Sequence, residues 1–148
     1  MSETSVHIQL SQKQNYQFEI EFGGQVPTIL GDEPPPLGTG QGPSPVQFLA
    51  AAVGNCLSDS LLFALRKFKQ APEPLRCDVT AEVGRNEQGR MRVLGIKAVL
   101  KLGVPAASLE HLDRVLGQFE AFCTVTQSVG QGIPITIEVL DSTGAKLK

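Results

Sequence analysis

Apolar residues recur with a period of two in "YQFEIEF" and lose that period in "AAAVGNCLSDSLLFALRKF". In the first stretch Tyr16, Phe18, Ile20 and Phe22 fall on one side and Gln17, Glu19 and Glu21 on the other, the alternation of a half-buried strand. "HIQLSQ" precedes it as a partner strand, with the Lys13–Asn15 region as the turn, and "VPTIL" extends the sheet. The next segment, "GDEPPPLGTGQGPSP" at 31–45, holds four glycines and five prolines. That composition excludes a helix or a central strand and predicts a long surface loop. Its Gly38-x-Gly40-x-Gly42 spacing is a weak phosphate-loop signal, because no Lys-Ser/Thr pair follows and no βαβ context surrounds it.

A helix starts clearly after the loop. Ser44 caps it, Pro45 suits its first position, and Gln47 completes an S-x-x-Q capping box. It is predicted to run to about Lys69, where "QAPEP" stops it. Apolar residues cover nearly every face from Phe48 to Leu65, so the helix is expected to be buried on most sides. A domain this small has little of its own to cover it, which points to a second subunit. "RCDVTAEV" and "RMRVLGIKAVLKL" around "GRNEQG" read as a hairpin. Cys77, Val79, Ala81 and Val83 share one face of its first strand; Arg76, Asp78, Thr80 and Glu82 share the other. A second helix is predicted after Pro105, capped by Ser108, with Leu109, Leu112, Leu116, Phe119 and Cys123 near one stripe. "IPITIEVL" closes the chain as a strand. The order of strands, helix, hairpin, helix and strand is α+β with mainly antiparallel pairing.

The 148 residues suit one domain, 1–148. Thirteen basic and 15 acidic residues, spread along the chain, give a net charge of −2, which argues against a nucleic-acid footprint. No apolar run approaches membrane-spanning length, and the polar opening "MSETSVHIQLSQKQ" does not read as a signal peptide. A cytoplasmic protein with no nucleic-acid or membrane partner is therefore expected. Three widely spaced cysteines fit neither a disulfide framework nor a CxxC zinc site, and no cofactor or metal is expected.

The cysteines differ in their surroundings. Cys77 alternates in register with apolar neighbours, as a small core residue does. Cys123 falls where the second helix gives way to "TVTQSVGQG", a place where packing is the commoner use of a thiol. Cys56 has Asp59 and Ser60 at i+3 and i+4, polar groups that a packing cysteine would not need. Buried polar residues are destabilising unless paired, so they ask for a role or a partner.

With these residues in view, the chain resembles the OsmC/Ohr family (osmotically induced protein C and organic hydroperoxide resistance protein). "SPVQFLAAAVGNC" is similar to the family's helix start, alanine-rich run and first cysteine. "FCTVTQSVGQGIPITIEV" is similar to its second cysteine, short segment and final strand. The resemblance implies an intertwined homodimer with two long central helices between antiparallel sheets and sites at the subunit interface. It also implies thiol peroxidation. Cys56 would be the peroxidatic thiolate, Cys123 would resolve its sulfenic acid as a disulfide, and a dithiol such as a dihydrolipoyl group would restore both. Phe48, Leu49, Phe119 and Phe122 would form an apolar pocket for an organic hydroperoxide, with Asp59 and Ser60 modulating the thiol.

The chain departs from the family pattern at the cation that would ionise this thiol. Active members supply an N-terminal arginine held by a glutamate after the helix-start proline. Here that position is Val46, and the only Lys or Arg among residues 1–55 is Lys13. Asp59, one turn from Cys56, is expected to push the thiol pKa up. A cation such as Arg90 or Arg92 would have to take the role across the dimer for activity to be fast. Two alternatives stay open on the same fold: a redox sensor or dithiol carrier without peroxidase activity, and a binding module for an apolar ligand.

Overall fold

A capping box fixes the start of the longest element. In the computed structural model, which describes residues 3–148, the Ser44 amide donates to Gln47 Oε1 at 2.9 Å and the Gln47 amide donates to Ser44 Oγ at 3.2 Å. Helix α1 follows as Pro45–Lys67, two residues short of the predicted end. Beyond it Lys69 adopts a positive φ of 59°. The chain divides into two compact units, with the boundary between Phe48 and Leu49 inside α1.

The first unit carries strands β1 (Gln9–Gln14), β2 (Gln17–Glu21) and β3 (Ile29–Gly31) in one antiparallel sheet ordered β1-β2-β3. Asn15, at φ 50°, makes the turn predicted between the first two. The alternation of β2 does not translate into burial. Ile20 is buried, whereas Tyr16 and Phe18 are exposed and Gln17, from the polar side, is buried. The reason lies in the loop after β3. Buried Asp32 accepts hydrogen bonds from the amides of Glu33 (2.7 Å) and Gln41 (3.1 Å) and from the Thr39 hydroxyl (2.9 Å). The Gln17 amide group donates to Thr39 Oγ1 and Asp32 Oδ2. Burial pulls the Asp32 pKa up, but the hydrogen bonds outweigh it and hold the carboxyl at about 2. The glycine spacing is explained by packing: a Cβ on Gly38 would run into the Glu33 carbonyl oxygen, and one on Gly42 into that of Leu30.

The second unit holds a sheet ordered β4-β5-β6, made of β4 (Arg76–Arg85), β5 (Met91–Lys101) and β6 (Ile135–Leu140). The predicted hairpin is present, with Cys77, Val79 and Ala81 facing inward until a register shift after Glu82 turns Val83 outward. β6 pairs with β5 in parallel, so this sheet is mixed where antiparallel pairing was expected. Val53, Leu57, Leu61 and Leu65 of α1 join Ile96, Ala98, Leu100, Val115, Phe119 and Val139 in one core.

The second long helix is broken. A 3₁₀ turn at Ala106–Ser108 precedes α2 (Leu112–Gln118), a second 3₁₀ turn spans Phe119–Phe122, and α3 is Thr124–Val129. Ser108 bonds Pro105 O and does not cap α2, whose first turn follows His111 at φ 60°. The stripe survives the break, because Leu116, Phe119 and Cys123 are all buried. Lys148 Nζ reaches the Leu116 carbonyl at 2.6 Å and Glu120 Oε2 at 2.7 Å, bracing the segment just before Cys123.

Helix α1 corrects one expectation, that no stretch has membrane-spanning character, and in the single chain leaves open the side that a second subunit was expected to cover. It is buried along one stripe, Val53, Gly54, Leu57, Leu61 and Leu65, while Ala51, Ala52, Asn55, Asp59 and Phe63 are exposed in the single chain. By length and composition it is also apolar enough to cross a membrane, with a mean hydropathy of 1.6 over 18 residues. Single polar residues break its apolar run without lowering that average much. A helix in a protein core passes the same test, and α1 contributes its buried stripe to such a core.

Candidate functional site

Cys56 opens the fourth turn of α1, and Cys123 is the residue from which α3 starts. They are 67 positions apart in sequence, yet the break after Phe122 brings the second thiol beside the first. Cys56 is half-buried and Cys123 fully buried; both are free thiols. Burial is the main influence raising the Cys56 pKa, and the neighbouring Cys123 thiol raises it further. The backbone amides of Val125 and Thr126 act in the opposite direction without prevailing. Among the described residues no Lys or Arg figures in that balance. Arg90 and Arg92 sit exposed at the β4–β5 hairpin, where Arg92 Nη1 donates to Met91 O at 2.8 Å.

Thr126 was not singled out from the sequence. It is 5% exposed, and Cys123 Sγ donates to its Oγ1 at 2.9 Å. The legible signal was its place three residues after Cys123, which on a helix turns a side chain back towards the first residue.

Cys77 occupies a different environment. A Cβ on Gly54 would stand 3.5 Å from its Sγ, and Ser58 hydrogen-bonds to it. Gly54 and Ser58 are one turn apart, while Cys56 lies two residues from each and so on the opposite side of α1. Burial raises the Cys77 pKa as well. The polar residues around Cys56 have separate explanations. Ser58 Oγ donates to Gly54 O at 2.7 Å, Asn55 and Asp59 are solvent-exposed, and Ser60 lines a groove.

That groove, of about 150 Å³, starts one helical turn beyond Cys56 and includes Ser60, Phe63, Phe68, Arg114 and Phe122. His111 stacks on Phe68 with ring centroids 4.9 Å apart, and the Arg114 guanidinium lies 5.8 Å from the same ring. Of the four residues predicted to form the pocket, Phe122 lines this groove and is 69% exposed, while Phe119 is fully buried in the core. Leu49 packs on the edge of that core. Phe48 belongs to the first unit, with its ring beside Gly31. Among the described residues, no group of three or more His, Cys, Asp or Glu gathers as a metal site would require.

A family model described as OsmC-like protein matches residues 38–138, more than half of the chain and both cysteines. The chain belongs to the OsmC-like family. No curated protein sequence matches it. Among solved structures it is similar to an OsmC-like protein of unknown function from Vibrio cholerae, with a TM-score of 0.75 and 20% identity, covering 95% of this chain and 100% of that one. An organic hydroperoxide resistance protein OsmC from Legionella pneumophila gives a TM-score of 0.73 at 12% identity over 94% and 98% of the two chains. The organic hydroperoxide resistance protein OhrB of Bacillus subtilis gives 0.69 at 14% identity over 92% and 98%. At these identities the OsmC-like fold is what the chains share.

Proposed function

We propose that this OsmC-like protein reduces organic hydroperoxides through Cys56 and Cys123, as a cytoplasmic homodimer. The observation that carries the reading is the pairing of a partly exposed thiol with a fully buried one beside it, one helical turn before a groove that begins at Ser60. Names of structural neighbours such as those from L. pneumophila and B. subtilis favour the same chemistry. The Cys56 thiolate attacks the outer peroxide oxygen; the O–O bond breaks, an S–O bond forms, and the alcohol leaves. Cys123 then attacks the sulfenic sulfur, forming a disulfide and releasing water. An external dithiol, such as a dihydrolipoyl group, returns two electrons and becomes a cyclic disulfide. Phe63, Phe68 and Phe122 offer the organic portion an apolar wall.

Stopped-flow consumption of cumene hydroperoxide with dihydrolipoamide tests the reading. Turnover lost in Cys56→Ser, and single-turnover oxidation retained in Cys123→Ser, is the expected result. Peroxide consumption that survives Cys56→Ser would overturn it. A second reading, a slow redox sensor, is favoured by the Cys56 pKa, which is raised with no cation opposing it. Reversible bridging without appreciable turnover would select that reading.

A further inference from the structure

Thr126 is a buried polar side chain whose hydroxyl meets a sulfur, and the peroxidase cycle as derived gives it no task. Its Oγ1 lies 2.9 Å from Cys123 Sγ, and its backbone amide is among the groups that act to lower the Cys56 pKa. The two sulfurs also differ in access. Cys123 is fully buried, whereas Cys56 is half-exposed. Exchange requires an attacking thiolate to reach one sulfur of the disulfide while the other leaves as a thiolate, and a better-stabilised leaving thiolate departs faster. A hydroxyl can rotate to accept from a thiol or to donate to a thiolate. The side chain therefore stays bonded to Cys123 as that sulfur gains its negative charge.

We propose that Thr126 is a positioning residue that holds Cys123 as the leaving thiolate when an external dithiol opens the Cys56–Cys123 disulfide at Cys56. This rests on the two-cysteine cycle above. One thiolate of the dithiol attacks Cys56 Sγ, the Cys56–Cys123 bond breaks, and the electron pair stays on Cys123, whose thiolate accepts a hydrogen bond from the Thr126 hydroxyl. The second thiol of the dithiol then attacks its own sulfur in the mixed disulfide and frees Cys56. Two electrons pass from the dithiol to the protein, and the dithiol leaves as a cyclic disulfide. The burial of Cys123 makes the order of attack one-sided.

The test uses the full chain, oxidised with one equivalent of cumene hydroperoxide and reduced with dihydrolipoamide. Thr126→Val keeps the shape and removes the hydroxyl. A hydrogen bond to a charged group is strong enough that reduction should slow by about tenfold or more. The disulfide potential should move to a more negative value by about 30 mV for each tenfold change in equilibrium. Thr126→Ser should restore both. A packing role alone would change stability in Thr126→Val without the potential shift or the serine rescue. In the wild type, a bulky monothiol should be trapped on Cys56, as peptide mapping would show, so the proposal stays testable even if Thr126→Val does not fold. Equal reduction rates in Thr126→Val and wild type, or a mixed disulfide on Cys123, would overturn the role of Thr126 and leave the peroxidase reading intact. A wild-type protein that forms no Cys56–Cys123 bridge would overturn both.

Discussion

The Cys56 thiol is held protonated by burial and by its sulfur neighbour, and that sets the pH behaviour of any reaction it performs. With its pKa above the ordinary range, only a small fraction is thiolate at pH 7, and that fraction grows about tenfold per pH unit below the pKa. Oxidation of Cys56 by cumene hydroperoxide should therefore accelerate steadily from pH 6 to 9 in a stopped-flow pH–rate profile. A flat, fast profile would mean that a cation from elsewhere ionises the thiol. Asp59 is solvent-exposed, so water and salt screen it, and Asp59→Asn should change this rate by no more than about twofold. A second residue-scale expectation concerns Gly54, where a Cβ would stand 2.6 Å from Val79 Cγ2. Valine is stiff at χ1, so the contact cannot be relieved by rotating a long side chain. Gly54→Ala should lower unfolding stability by about 1–3 kcal/mol in a urea titration, despite alanine's better helix propensity. Cys56 and Cys123 were coupled only through the family resemblance, since the residues around Cys123 alone read as those of a packing thiol. Thr126 was not legible, since its contact depends on how Cys123 leaves one helical turn and begins the next. Phe119 was misplaced for a related reason: an apolar residue near a predicted site reads the same whether it lines a pocket or fills the core.

Elements were legible where their signals are local. The α1 start is encoded by Ser44, Pro45 and Gln47 alone, and Ser44→Ala should cost about 1 kcal/mol of stability by loss of the cap. The break in the second helix leaves no mark in the sequence pattern, because Leu112, Leu116, Phe119 and Cys123 keep helical spacing even though the backbone tightens at Phe119–Phe122 and extends at Cys123 (ψ 96°). Strand direction was also hidden, because the alternation in β6 is the same for parallel and antiparallel pairing. Two turns depend on single carboxylates. Asp32 ties the loop after β3, and Asp141 accepts from the Thr143 hydroxyl at 2.7 Å and from the amides of Ala106, Thr143 and Ala145. The Thr143 hydroxyl and Ala106 amide lead in lowering the Asp141 pKa to about 2, against an opposing effect of burial; Asp32 is lowered to the same level. Both folded-state values lie below the unfolded value of about 4. Their contribution is therefore complete above pH 4 and is lost as pH falls towards 2. Acid unfolding followed by circular dichroism should shift to milder pH dependence in Asp32→Asn and Asp141→Asn. Unchanged acid transitions would show that these carboxylates do not govern it.

At the scale of the molecule, the question is what covers the outer side of α1. In the single chain Phe63 and Phe122 are 67% and 69% exposed, and the same side of the helix exposes Ala51 and Ala52, with Asn55 and Asp59 between them and Phe63. In the first unit Leu10 is 56% exposed and Ile29 39%. Large apolar side chains exposed in this number mark an interaction surface in a folded protein. A second copy of the chain is the occupant we propose, and obligate interfaces of this apolar kind bury roughly 2,000 Å² or more. Sedimentation equilibrium at micromolar concentration should give twice the chain mass. Because the same residues would complete the core of the dimer, separation and unfolding should coincide, and the urea midpoint should rise with protein concentration. Phe63→Asp places a charge on that face and should lower the midpoint and the dimer mass together. A well-folded wild-type monomer at micromolar concentration, with a midpoint independent of concentration, would show instead that α1 tolerates water on this side. The groove beside Cys56 would then have to bind its organic substrate within one subunit.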